Sequence, residues 1–205
     1  MICCMGGIDR IIASSLSLEI KEKLNLEILK KVERELFLEY GMSIKLSIEN
    51  FHKFLSVLKK NSSIDTNRFE KDCISKILKV KIKNDKFLVT IIHQHLRDLI
   101  LEVFGDIETR KIITALLEKE YTIPQILKES KIPKTSGYRK IENLILNGLI
   151  IESGKVLSES KKISKLQCIF EEIDLKIKKD KIEIIGVVNK KIFEKSTSMK
   201  SIIES

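Results

Sequence analysis

The residues best suited to chemistry lie in one stretch, KIPKTSGYRKIENLILNGLI, at positions 131–150. Lys134, Thr135, Ser136, Arg139, Lys140 and Asn143 supply the side chains that bind DNA elsewhere. An arginine can hold guanine through two hydrogen bonds, an asparagine can do the same with adenine, and lysines and hydroxyls hold phosphate oxygens. Lys128 and Lys131 add positive charge nearby, against Glu129 alone. Groups of this kind read a duplex when one face of a helix presents them and its N-terminus points at the phosphates.

Helical spacing over 134–147 offers such a face. At about 100° per residue, Ser136, Arg139, Lys140 and Asn143 gather on one side, and Tyr138, Ile141, Leu144 and Ile145 gather on the other, the expected core side. Gly137 is costly in a helix, by about 1 kcal/mol against alanine. It falls on the flank of the core side, where the expected use is to let a short helix at 123–130 cross closely.

A second basic cluster follows in NGLIIESGKVLSESKKISKLQCIF. Gly148 ends the helix, and the pattern predicts a strand at 149–152, a turn at Ser153 and Gly154, a strand at 155–158 and a third from Lys161. A strand, turn and strand after a recognition helix make a wing. Lys155, Lys161 and Lys162, with Lys165 nearby, can then lie along the phosphate backbone and add salt-sensitive affinity.

These residues need elements to position them. Asp106 is an N-cap candidate for a helix with Ile112, Ile113, Leu116 and Leu117 on one face. Thr122 is a second N-cap, with Pro124 in the first turn of the short helix that follows. Helix, short helix, tight KIPK turn and longer helix form a helix-turn-helix. Downstream, IDLKIKKDKIEIIGVVNKK alternates around KKDK as a further hairpin, able to extend the wing sheet or to pair with a second subunit.

The first half reads as mostly helical. Apolar periodicity predicts helices at 8–23 and 26–40, broken at Leu24 and Asn25 and ended by Gly41, with Leu26, Leu29, Val32, Leu36, Phe37 and Tyr40 as the stripe of the second. Another amphipathic segment follows Ser43, and Asp65 caps a helix carrying Phe69, Cys73, Ile74 and Ile77. KVKIKNDKFLVTI alternates around Asn84 and Asp85 as a hairpin. HQHLRDLILEVFGD then returns to helical spacing, with His93 and His95 on one side of a strand at its entry. The predicted fold is mainly α with small β-hairpins, an α+β protein with a helical domain at 1–105 and a winged helix-turn-helix domain at 106–205.

Composition narrows the function classes. The chain has 205 residues, 38 Lys and Arg against 29 Asp and Glu, and a formal charge of +9, which favours a polyanion or an acidic surface as partner. Cys3, Cys4, Cys73 and Cys168 show no paired spacing, so neither a zinc site nor a disulfide framework is predicted, and a reducing cytoplasm fits. A redox role for the vicinal Cys3 and Cys4 is the alternative to two idle thiols. No leader pattern or apolar run of membrane-spanning length is present. His93 and His95 fall short of a metal site, and no nucleotide-binding or hydrolytic motif stands out. The expectation is a non-enzyme with no cofactor and no membrane partner.

The run IPKTSGYRKIENLILNGLI resembles the winged helix-turn-helix regulators of archaea, in its proline-containing turn, Thr/Ser-rich helix start, Tyr-Arg pair and Asn-Gly-Leu exit. KVERELFLEYGMS and LRDLILEVFGD are similar to runs of the helical Nitrosopumilus output domain that accompanies such regulators in ammonia-oxidising archaea. The resemblance implies a sequence-specific, double-stranded-DNA-binding transcriptional regulator. A symmetric dimer through the N-terminal helices on two half-sites is the economical arrangement. A protein-interaction adaptor that docks a partner on the same basic face is the alternative. The sequence names neither the operator nor an effector.

Overall fold

A computed structural model of the protein describes residues 7–84, 86–158 and 161–199. Within them the chain is mixed α and β, with helix predominating, in keeping with the α+β class. The order is α1 (Gly7–Lys23), α2 (Leu26–Tyr40), α3 (Ile44–Ser47), α4 (Phe51–Asn61), α5 (Thr66–Ile77), β1 (Leu78–Lys83), β2 (Lys86–Ile91) and α6 (Gln94–Gly105). Then come α7 (Ile107–Leu116), α8 (Ile123–Ser130), α9 (Lys134–Leu146), β3 (Ile150–Ser158), β4 (Lys161–Cys168), β5 (Phe170–Lys178), β6 (Lys181–Val188) and α10 (Lys190–Phe193).

The stop and start signals act as their chemistry suggests. Asn25 caps α2 by accepting the Ile28 N–H at 2.8 Å, and Gly41 ends it in the left-handed region. Asp65 accepts the N–H groups of Asn67 and Arg68 to begin α5. Asp106 ends α6 and begins α7, accepting the Thr109 N–H at 2.7 Å. Of the predicted α2 stripe, Val32 and Leu36 are fully buried against neighbouring helices, whereas Leu26 and Phe37 face solvent.

Helix α1 is the axle of the fold. Ile8, Ile12, Leu16 and Ile20 are buried on one line, and Ile11, Ala13, Ser15 and Glu19 are buried around the rest of its circumference. A helix enclosed on most sides has neighbours all round, and α1 packs against α3, α5, α6 and α10. At its start Asp9 is fully buried and accepts from Thr197 N at 2.7 Å, Thr197 Oγ1 at 3.1 Å, Ser198 N at 3.1 Å and the Ser196 and Ser198 hydroxyls. This clasp ties the last described segment to the first helix.

Two antiparallel sheets form. β3 and β4 make a ribbon of their own. The residues read as a turn between two strands, Ser153 and Gly154, are instead the site of a bulge within β3, since the register shifts between Glu152 and Gly154 while pairing with β4 continues on both sides. The second sheet has the order β1-β2-β6-β5. The β5–β6 hairpin therefore joins the β1–β2 hairpin instead of extending the β3–β4 ribbon: β6 is covered by β2, with Phe87 opposite Val188 and Ile91 opposite Ile184, and β5 forms the edge. Strands from before and after Gly105 meet in one sheet, and Phe193 of α10 stacks on Phe87 at 4.2 Å. Among the described residues no helix is long and apolar enough to cross a membrane.

Candidate nucleic-acid interface

The basic face is assembled by α7, α8, α9 and the β3–β4 ribbon. The Thr122 N–H donates to the Gln125 side chain at 2.9 Å and opens α8, which closes on Lys131 in the left-handed region. Three residues later Lys134 starts α9. Between α7 and α8, Tyr121 pairs with Leu166 of β4 through two backbone bonds of 3.0 and 2.8 Å, giving the ribbon a third, one-residue rung. The order is thus helix, rung, helix, helix, strand, strand.

Gly137 and Gly148 set how closely the pieces approach. A Cβ at Gly137 would fall onto the Leu127 side chain of α8, so the absence of a side chain lets α8 cross α9. Gly148 has φ +77°, and a Cβ there would also come within 2.6 Å of the Ile11 backbone nitrogen. α1 therefore packs against the exit of α9, and Arg10 reinforces the contact: its guanidinium pairs with Glu49 at 3.2 Å and donates to the Ile145 carbonyl at 3.4 Å.

The core side of α9 consists of Gly137, Ile141 and Leu144. Tyr138, predicted to fill core, is exposed. The reason is angular: the buried line runs through Gly137 rather than beside it, which turns the helix by about 40°. The outer face then carries Thr135, Tyr138, Arg139, Glu142 and Leu146, and Lys134 and Asn143 are exposed as well. Ser136 is half-buried, its hydroxyl donating to the Pro133 carbonyl at 3.4 Å. Asn143 accepts from Asn147 at 3.1 Å.

Lys140 has a different setting. Its ammonium lies 2.8 Å from Asp106 and 3.6 Å from Glu108, tying α9 to the first turn of α7. That hydrogen bond, followed by those from the Thr109 hydroxyl and N–H, holds the Asp106 carboxyl well below the usual carboxylate range. Lys140 and Arg139 are neighbours in sequence, yet one is engaged within the fold while the other makes no ion pair among the described residues.

The ribbon divides its lysines by register. Lys155 opposes Ser164 and Leu157 opposes Lys162, so Lys155, Leu157 and Lys162 share one face. Lys161 falls on the other, with Val156 and Ile163. Lys155 lies 3.7 Å from Glu152 and Lys165 is 3.2 Å from Glu120, while Lys161 and Lys162 are exposed. Of the wing tip expected from SESKK at residues 158–162, Glu159 and Ser160 lie outside the described residues.

The remaining candidates are placed elsewhere. His93 precedes α6 instead of sitting in a strand, its Nε2 3.6 Å from Glu19, and His95 is in the first turn of that helix. No group of three or more His, Cys, Asp or Glu side chains able to hold a metal gathers among the described residues. Cys73 and Cys168 are buried, and desolvation pushes both thiols up to about 12. Cys3 and Cys4 lie outside the described residues. Comparison with protein-family models, curated proteins and solved structures returned no match.

Sequence reasoning missed the Asp9 clasp and the Tyr121 rung. Asp9 followed by an isoleucine-rich helix looks like an ordinary first-turn carboxylate, and the Ser-Thr-Ser run that surrounds it lies near the other end of the chain. No local pattern announces such a pair.

Proposed function

We propose that the chain is a winged helix-turn-helix regulator, akin to those of archaea, that binds double-stranded DNA. α9 enters the major groove and the β3–β4 ribbon follows the adjacent backbone. One observation carries the reading: Lys134 and Arg139 on α9 and Lys161 and Lys162 on the ribbon are exposed and make no ion pair among the described residues, so their charge is available to phosphates. Thr135, Arg139 and Asn143 supply sequence preference, Ser136 and Lys155 contribute from the margins, and phosphate contacts supply most of the affinity. Lys140 acts by holding α9 on α7.

Selection of bound duplexes from a random pool, followed by titration across salt concentrations, tests this. Arg139→Ala and Lys162→Ala together should weaken binding by about tenfold or more and flatten the salt slope by about two. Unchanged affinity and slope would remove the mechanism.

The adaptor reading draws on a specific feature of the same helix. Tyr138 and Leu146 are 49% and 69% exposed beside Glu142, a composition suited to a protein partner. Leu146→Ser, at the end of α9 away from Lys134, should leave duplex affinity nearly unchanged if DNA is the ligand, and should abolish partner binding if a protein is.

A further inference from the structure

The last turn of α9 forms one wall of a cleft whose other walls come from α1, α3 and α6, and whose volume is about 480 Å³. Its lining is mostly apolar: Ile11 and Ala13 from α1, Leu46 from α3, Leu99 from α6, and Ile145 and Leu146 from α9. Leu46 and Leu146 are 57% and 69% exposed at this cleft, an outlay of apolar surface that water does not favour. A concave, mainly apolar site of this size with a few polar groups is the usual form of a small-molecule site.

Those polar groups are Arg10, Ser14, Lys45, Glu49, His95 and Asn147, whose amide already donates to Asn143. Arg10 is already shared with Glu49, at 3.2 and 3.4 Å. Lys45 is exposed and makes no ion pair among the described residues, leaving one uncompensated positive charge beside the apolar wall. The hydroxyl of Ser14 and the imidazole of His95 offer hydrogen bonds without a fixed charge. A monoanion balances this set, whereas a dianion would leave excess negative charge next to Glu49.

We infer that the cleft between α1, α3, α6 and the end of α9 binds a small amphipathic monocarboxylate, with its head at Lys45 and His95 and its apolar chain along Ile11, Ala13, Leu99 and Leu146. The site touches α9 through Ile145 and Leu146, and Arg10 links the cleft to the Ile145 carbonyl. An occupant therefore contacts both the axle helix and the helix that bears Arg139. The binding itself requires no DNA, so it stands or falls separately from the proposed function.

Calorimetric titration of the full chain with sodium decanoate, below its micellar concentration, is the test. One saturable site per chain is expected, with decanol and acetate each at least tenfold weaker because each lacks one of the two halves of the ligand. Lys45→Glu should weaken decanoate at least tenfold, and Leu146→Gln several-fold. Both positions are exposed, so both variants should keep the wild-type circular dichroism and melting temperature. Absence of saturable decanoate binding overturns the inference, as do folded Lys45→Glu and Leu146→Gln proteins that bind decanoate as the wild type does. Decanol binding as tightly as decanoate overturns the carboxylate assignment.

Discussion

Helices α1 and α9 both carry charged residues among apolar ones, and the two use them in opposite ways. On α1, Asp9 is enclosed by five donors, Arg10 bridges Glu49 and Ile145, and Glu19 is buried beside Lys76 and His93. Its charges hold distant parts of the chain together. On α9, Lys134, Arg139 and Glu142 face solvent, and Lys140 alone is spent on an internal contact. The difference teaches that a charged side chain acquires its role from the partners that tertiary packing brings to it. A charge with several buried partners holds the fold together, and one without partners stays hydrated at the surface.

The comparison can be broken most decisively at Asp9. Asp9→Ala leaves buried hydroxyl and amide donors without their acceptor and should destabilise the fold by about 3 kcal/mol or more, read by chemical denaturation. A loss below about 1 kcal/mol would mean that the clasp is ornamental. Next in size is Gly137→Val on α9, which forces a side chain onto Leu127 and should cost about 2 kcal/mol. A Val variant with the wild-type melting temperature and an altered sequence preference would instead place Gly137 among the base-reading residues.

The neighbours Arg139 and Lys140 sharpen the contrast within a single helix. Lys140→Ala should lower stability by about 1 kcal/mol, since it strips a partly buried partner from Asp106, while changing the salt slope of DNA binding little. Arg139→Ala should do the reverse, with stability nearly unchanged and affinity reduced several-fold. Matching effects from both substitutions would erase the distinction drawn between them.

The smallest effect is one of pH. The folded-state pKa of Asp106 is depressed, chiefly by the Lys140 hydrogen bond and then by those of Thr109, so its contribution is present above the unfolded value of about 3.9 and is lost as pH falls toward the folded one. The carboxyl is partly open to solvent, which limits the size of this contribution. Asp106→Asn should therefore be less stable than wild type at neutral pH, and the gap should narrow below about pH 4. Melting curves from pH 7 to pH 2.5 provide the check, and a gap that stays constant would show that the ionised form has no special place.

Much of the local structure was legible because its causes are local. Asp65 and Asp106 each sit at a helix start and accept N–H groups two or three residues away, Thr122 opens its helix by donating its own N–H to the Gln125 side chain, and Asn25, read as a break, caps the helix that follows. The same holds for Gly41 and for the hairpin around Asn84. The close crossing at Gly137 was also legible, since a glycine inside an otherwise good helix has few uses. The bulge at Ser153 was misread as a turn, because a Ser-Gly pair favours both and only the continued pairing with β4 separates them. The orientation of α9 was off by about 40°, since Tyr138 is large and amphipathic and its apolar ring outweighed its tolerance of solvent.

The sequence by itself determined most of the helices and hairpins with their ends, and the presence of a basic helix followed by a basic ribbon. These follow from capping, alternation and periodicity, which act over a few residues. Only the tertiary structure decided that β2 pairs with β6, that Asp9 is grasped by Ser196, Thr197 and Ser198, and that Lys140 answers to Asp106 while Arg139 stays open. Those outcomes join residues between 34 and 189 positions apart in a chain whose local signals fade within a turn or two, and they depend on which surfaces can be buried together.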